Sequence, residues 1–308
     1  MKHVSKFLAV LLCTLSILVL EICCKKTQPA IAQTMADRGN TLRIATFNIR
    51  SFHGSDTQDW DSRKKSLDSL FRSYDFDIIG VQEPYQPQMD ELAELHGGVY
   101  DYFVVTTGNF NSKGWSHSNP VYYRRDRFKL LNKGVFWFSE QPDSMGSVSW
   151  EASQARNCVW VQLEDRRTGV AFYLFNSHFD HKSTLARNNS AALLVEKIKS
   201  IAGKDPVICT GDFNTNLGTN AYKTLASSDL LTDTYTLAKK VENDNYQTSH
   251  GYKIIPPEPN ARRIDHIFIS RKYKPKEVKY WKVCNETFDG HFASDHFPVY
   301  IDLTLGKN

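Results

Sequence analysis

The chain has no Cys-x-x-Cys pair and no Cys/His spacing suited to zinc, so no cysteine-built metal site is expected. It has no Gly-x-Gly-x-x-Gly turn and no Walker-type phosphate loop, which removes the nucleotide-cofactor classes that carry such fingerprints. Internal repeats, low-complexity tracts and interdomain linkers are missing too. Charge of one sign is also scarce. The formal net charge is +4, and the four Lys and one Glu of residues 1–32 account for most of it, leaving a body near +1. Such a body argues against gripping nucleic acid by bulk charge, though it permits a local basic patch.

What is present is apolar enough to fold. Hydrophobic residues make up 41% of the 308 and aromatics 12%, which excludes a disordered or collagen-like chain. The six cysteines do not suggest a disulfide framework. Cys13, Cys23 and Cys24 lie in or beside the N-terminal apolar run, Cys158 and Cys209 sit inside apolar stretches like core residues, and Cys284 is isolated.

Lys2 and Lys6 precede an apolar run of fourteen residues, Phe7 to Leu20. A membrane-spanning helix needs about 20 such residues, so residues 1–32 are expected to be an export signal. Its exit reads two ways: Ala30-Ile31-Ala32 as a cleavage site, or Cys23 or Cys24 as an acylated lipoprotein cysteine. Residues 33–41 are expected to be a tether. The expected location is periplasmic, outer-membrane lipoprotein or extracellular.

From Leu42 onward the chain alternates apolar β-prone runs with helical periodicity. Strands are expected at LRIATFNI (42–49), DIIGVQ (77–82), YFVV (102–105), VYYR (121–124), VFWF (135–138), CVWVQL (158–163), VAFYLF (170–175), VICT (207–210), IFIS (267–270) and PVYIDLTL (298–305). Helices are expected over 60–74, 84–95, 184–201 and near 219–227. One mixed α/β catalytic domain over 42–305 is the economical reading.

The polar residues at the strand ends carry the chemistry. Asn48, Glu83, His178, and Asp212 with Asn214 follow their strands, whereas Asp265 and the Asp295-His296 pair open theirs. These clusters meet on one rim only if the last two strands run antiparallel to the others, so the sheets are expected to be mixed. Glu83, Asp295 and the amide oxygen of Asn48 suit a hard cation, Mg²⁺ with Mn²⁺ as the alternative. His296 beside Asp265 reads as a base held by a carboxylate. Asp212 and Asn214, two residues apart, would activate water and hold a phosphate oxygen, while His178 would protonate a leaving oxygen or stabilise developing charge. Each has a duller reading: a turn residue for Asn48, a helix-start acid for Glu83, an Asx turn for Asp212. Their ordered occurrence, each tied to a buried strand, raises them above it. The set reads as metal-assisted hydrolysis of a phosphate ester.

The stretches ATFNIR (45–50), GVQE (80–83), NSHFDH (176–181), TGDFN (210–214), RIDHIF (263–268) and SDHFPV (294–299) resemble the endonuclease/exonuclease/phosphatase superfamily. The resemblance implies a deoxyribonuclease I-like fold: a four-layer α/β sandwich of two mixed sheets packed face to face, with helices outside. It implies Asn48, Glu83 and Asp295 around the metal, His296 as base with Asp265, and His178, Asp212 and Asn214 on phosphate and nucleophile. It also implies Arg50, Arg156 and Tyr122 as substrate-phosphate residues. The expected enzyme is an exported, Mg²⁺-dependent phosphate-ester hydrolase of phosphodiesterase or nuclease type, in which a water activated by His296 with Asp265 attacks in line with the leaving group. A sphingomyelinase-like phospholipid hydrolase and a sugar-phosphate phosphatase are the alternatives, and a non-catalytic binding protein on the same fold the outsider. A monomer with a phosphate-ester substrate and no dedicated protein partner is expected. His266, where many relatives carry an aromatic residue, is a second imidazole placed to compete for Asp265.

Overall fold

The computed structural model describes residues 38–271 and 277–306. The expected export signal and most of the tether lie outside these residues. Among the described residues, no helix is long and apolar enough to cross a membrane.

Strand β1 (Leu42–Asn48) shows how the sequence builds both core and site. Side chains alternate across a strand. Leu42 and Ile44 enter the apolar layer between two sheets, while Arg43 turns outward, its guanidinium reaching the Tyr74 carbonyl at 3.0 Å. Continuing the inward row, Thr46 and then Asn48 are polar. The same gradient recurs on β9 (Ala171–His178), where Phe172 and Leu174 are followed inward by Asn176 and His178. On β10 (Val207–Asp212), Ile208 is followed by Thr210 and Asp212. Each inward row is greasy at one end and chemical at the other.

The first sheet has seven strands. Beside β1 it holds β2 (Ile78–Gln82), β3 (Tyr100–Phe103), β6 (Val121–Arg124), β12 (Lys240–Glu242), β14 (Glu277–Val283) and β15 (Val299–Thr304), in the order β12-β14-β15-β1-β2-β6-β3. The second has six: β7 (Phe128–Trp137), β8 (Asn157–Asp165), β9, β10, β11 (Leu231–Asp233) and β13 (Asp265–Ser270), in the order β11-β13-β10-β9-β8-β7. A small hairpin, β4 (Thr106–Phe110) with β5 (Ser116–Ser118), stands apart. β1 pairs parallel with β2 and antiparallel with β15; β10 pairs parallel with β9 and antiparallel with β13. The two strands opened by acid residues therefore reverse direction, as the expected convergence requires.

Helices cover the outer faces. α1 (Trp60–Tyr74) begins where Asp59 accepts from Ser62 N and ends with Asp75 in the left-handed region. Its Tyr74 and the following Phe76 pack on Tyr300. α2 (Gln86–His96) follows β2. α3 (Thr184–Ala202), capped by Ser183, and α4 (Asn220–Ala226), capped by Thr219, cover the second sheet through Ala191, Leu194, Ile198 and Leu225. The result is the four-layer sandwich of the deoxyribonuclease I-like fold.

Polar groups stitch the sheets together below the site. Gln82 donates to Thr46 Oγ1 (3.1 Å) and to Asn176 Oδ1 (2.7 Å), and Thr210 donates to the same oxygen (3.1 Å). Asn176 in turn donates to the carbonyl of Val81 at 2.7 Å. Gly80 makes this approach possible, because a Cβ there would collide with Thr210 and Asn176.

Candidate active site

The polar ends of both sheets meet around a cleft of about 320 Å³ lined by Arg50, Glu83, Arg156, His178, Asp212, Asn214 and His296, among others. Three of these, Arg50 (φ 57°), Glu83 (φ 77°) and Asn214 (φ 48°), adopt left-handed backbone conformations. Such geometry is uncommon outside glycine and marks places where the surroundings hold the chain. The strain near Arg50 is held by Arg63 of α1. Its buried guanidinium donates to the carbonyls of Ile49 (2.7 Å), Arg50 (3.2 Å) and Ala293 (3.4 Å). Ser294 adds a bond to the Asn48 carbonyl at 2.7 Å. The end of β1 and the segment before β15 are thereby tied.

At the centre lies Asp212. Its Oδ2 accepts from Asn48 at 3.0 Å and lies 3.4 Å from His178 Nε2 and 3.9 Å from His296 Nε2. Its Oδ1 accepts from the Asn214 N–H at 3.0 Å. Burial and the nearby Asp265 push the Asp212 carboxyl up to about 7, despite the opposing pull of His296 and the Asn48 amide. His296 has the reverse problem. Burial opposes its charge, but Asp265, Asp212 and Asp295 outweigh it and push the imidazole up to about 10. Its Nδ1 sits 3.0 Å from Asp265 Oδ2.

These surroundings bear on two expected roles. An imidazole facing three carboxylates favours its protonated, donating form, and Asp212, poised near neutrality, can exchange a proton there. His178 is also altered. Burial and the Arg156 guanidinium drive it well below its ordinary value. A neutral His178 accepts from the Asn214 amide (3.2 Å).

The structure brings Asn48, Glu83 and Asp295 to the same rim but gives Asn48 a different contact. Its Nδ2 donates to Glu83 Oε1 at 2.9 Å as well as to Asp212, while its Oδ1 accepts from Arg50 N at 3.0 Å. So oriented, Asn48 tethers two acids, while its Oδ1 keeps a second lone pair that an ion could use beside the oxygens of Glu83 and Asp295. Burial opposes ionisation of Glu83, yet His178, His117, Asn48 and Arg50 hold its carboxyl below the usual range. Burial pushes Asp295 up, and Glu83 adds to the rise. Two neighbouring carboxylates with hard oxygen donors fit Mg²⁺.

Arg50 and Arg156 flank the cleft. Arg50 is 3.0 Å from Asp56 and 3.7 Å from Asp295. Arg156 is buried, reaches His181 Nδ1 at 3.1 Å, and leaves its Nε without a hydrogen-bond partner. Tyr122 is not with them. Val121 and Tyr123 of β6 face the inter-sheet core, so Tyr122 faces the opposite side. There it packs on Tyr102 with ring centroids 5.0 Å apart and lines a separate cavity. The same alternation settles His266. It points away from Asp265's face, toward Phe213 and Tyr222, and meets the Thr215 carbonyl at 2.9 Å. It does not compete for Asp265.

Sequence reasoning missed His53, His117, Gln154 and His181, which also line the cleft. His181 closes the NSHFDH stretch (176–181); the other three come from loops or the short β5 and carry no periodic signal.

Two mixed sheets with this polar set along their shared rim define a deoxyribonuclease I-like protein. The comparisons make the assignment specific: a profile of the Endonuclease/Exonuclease/phosphatase family matches residues 45–296, and the chain belongs to that family. Among solved structures, an endonuclease/exonuclease/phosphatase from Bacteroides vulgatus is 34% identical, with a TM-score of 0.78, covering 86% of this chain and 99% of that one. A mannosyl-6-phosphatase from Bacteroides thetaiotaomicron is 33% identical, with a TM-score of 0.77, covering 86% and 100%. Of the curated proteins, Nocturnin of Drosophila melanogaster is 22% identical, over 87% of this chain and 47% of its own length. The chain thus spans about half the length of that curated relative.

Proposed function

We propose that the protein is an exported, Mg²⁺-dependent phosphatase acting on a small phosphate ester, with sugar phosphates as the substrate class. The carrying observation is the cleft: about 320 Å³, bounded by Arg50, Arg156 and several imidazoles. A volume near the lower end for small-molecule sites suits a phosphorylated sugar better than an extended strand. The near-neutral body and the likeness to a mannosyl-6-phosphatase support the same reading over the nuclease reading. The charged start and short apolar run support export.

In this reading Arg156 and Arg50 bind and orient the phosphoryl oxygens. Asp212, fixed by Asn48 and the Asn214 backbone, takes a proton from water attacking in line with the leaving oxygen. His296, oriented by Asp265, donates a hydrogen bond where negative charge develops. Glu83 and Asp295 would hold Mg²⁺, which when bound neutralises phosphoryl charge.

The test is a panel of hexose 6-phosphates, DNA, RNA and sphingomyelin offered to the purified protein with Mg²⁺. Release of inorganic phosphate from a hexose phosphate, with kcat/KM at least about tenfold above any diester, is the expected outcome. Preferential diester cleavage would reject the phosphatase reading in favour of a nuclease or phospholipid hydrolase.

A further inference from the structure

Beside the proposed reaction centre, three donor side chains converge on one hydroxyl. His53 Nε2 lies 3.1 Å from Ser51 Oγ, His117 Nε2 3.0 Å, and Glu83 Oε2 3.4 Å. One donor atom from each of His53, Glu83 and His117 lies within 4.8 Å of the others. The three come from separate parts of the fold: the loop after β1, the residue after β2, and β5. The His117 ring is held by Tyr85, stacked at 5.0 Å and 28°. Tyr85 is itself backed by Trp115 and Phe52.

Glu83 divides its oxygens between two neighbourhoods. Oε1 accepts from Asn48 on the Asp212 side, whereas Oε2 faces Ser51 and the imidazole pair. Two imidazoles and a carboxylate form a donor set that suits Zn²⁺ and similar borderline ions, and that Mg²⁺ uses poorly. Zinc bonds run at about 2.0–2.1 Å to nitrogen, so the donors must draw together. His53 is exposed on its loop and can supply that movement.

We propose that His53, His117 and Glu83 form a second metal site, selective for a borderline divalent ion of the Zn²⁺ type and distinct from the hard-cation position. All three residues line the cleft. The proposal touches the proposed function only through the shared Glu83.

Calorimetric titration of the metal-stripped full chain with Zn²⁺, in excess Mg²⁺ and without substrate, tests it. One Zn²⁺ per chain is expected despite the Mg²⁺, with Co²⁺ giving the absorption of a nitrogen- and oxygen-ligated low-coordinate ion. His53→Ala and His117→Ala should each weaken Zn²⁺ at least about tenfold. Asp265→Asn should leave Zn²⁺ affinity unchanged, because the buried Asp212, Asp265 and His296 cluster is the competing candidate. Circular dichroism confirms that each variant is folded. Undiminished Zn²⁺ affinity in the His53/His117 double variant, or complete displacement by Mg²⁺, overturns the site. Since binding is read without turnover, an inactive protein that binds Zn²⁺ as described would reject the proposed function and leave this site standing.

Discussion

Asp212 and His296 lie in one cluster of acids and imidazoles, and in the proposed mechanism the order of their proton affinities decides which accepts and which donates. Asp212 works ionised, so activity should rise as pH climbs through about 7. His296 works protonated, so activity should fall as pH climbs through about 10. The expected kcat profile is a bell, and bound cation would move both limbs to lower pH by favouring the deprotonated forms. Asp212→Asn and His296→Gln should each lower kcat by at least about 10². A profile whose acid limb persists in Asp212→Asn would reject Asp212 as the base. At this scale the sequence was informative about membership and weaker on role. Their place at the ends of buried strands located Asp212 and His178; protonation depends on how many acids the fold packs around each group, and no motif states that. Strand parity, applied to Val121 and Tyr123, would have turned Tyr122 away from the cleft.

Elements matter through what they hold in place. Arg63 stands on the buried face of α1 and bonds three carbonyls of the strained turn and its neighbour. Arg63→Met should cost about 2–4 kcal/mol, since it strands those acceptors. Thermal melting would show it at about 2–4 °C per kcal/mol, and kcat should drop because Arg50 loses its support. A melting point equal to wild type would show that the clamp is dispensable. The fully apolar strands were legible as apolar runs and the two long helices from their spacing, because each buries a face against the sheets. β14 was not anticipated: Glu277, Lys279 and Lys282 interrupt a strand that is half exposed. The three-residue strands β5, β11 and β12 are too short to carry a period.

For the whole molecule, the site exists only while two sheets stay in alignment: Asn48, Glu83 and Asp295 belong to one, His178, Asp212 and Asp265 to the other. Adding a methyl at the close approach tests this. Gly80→Ala should destabilise by about 1–3 kcal/mol and reduce kcat together, because Thr210 and Asn176 precede Asp212 and His178 by two residues. Stability lost with kcat intact would separate the joint from the site. Chelation should abolish turnover and Mg²⁺ restore it; activity untouched by EDTA would reject a cation-dependent reaction. The amides of Gln82 and Asn176 give the joint a further property. An oily seam permits creep, since one methyl is much like the next, but directional bonds work only in a single setting. The two halves are keyed like a lock rather than laid together like wet panes of glass. On warming, catalysis should therefore persist undiminished until the sandwich itself melts.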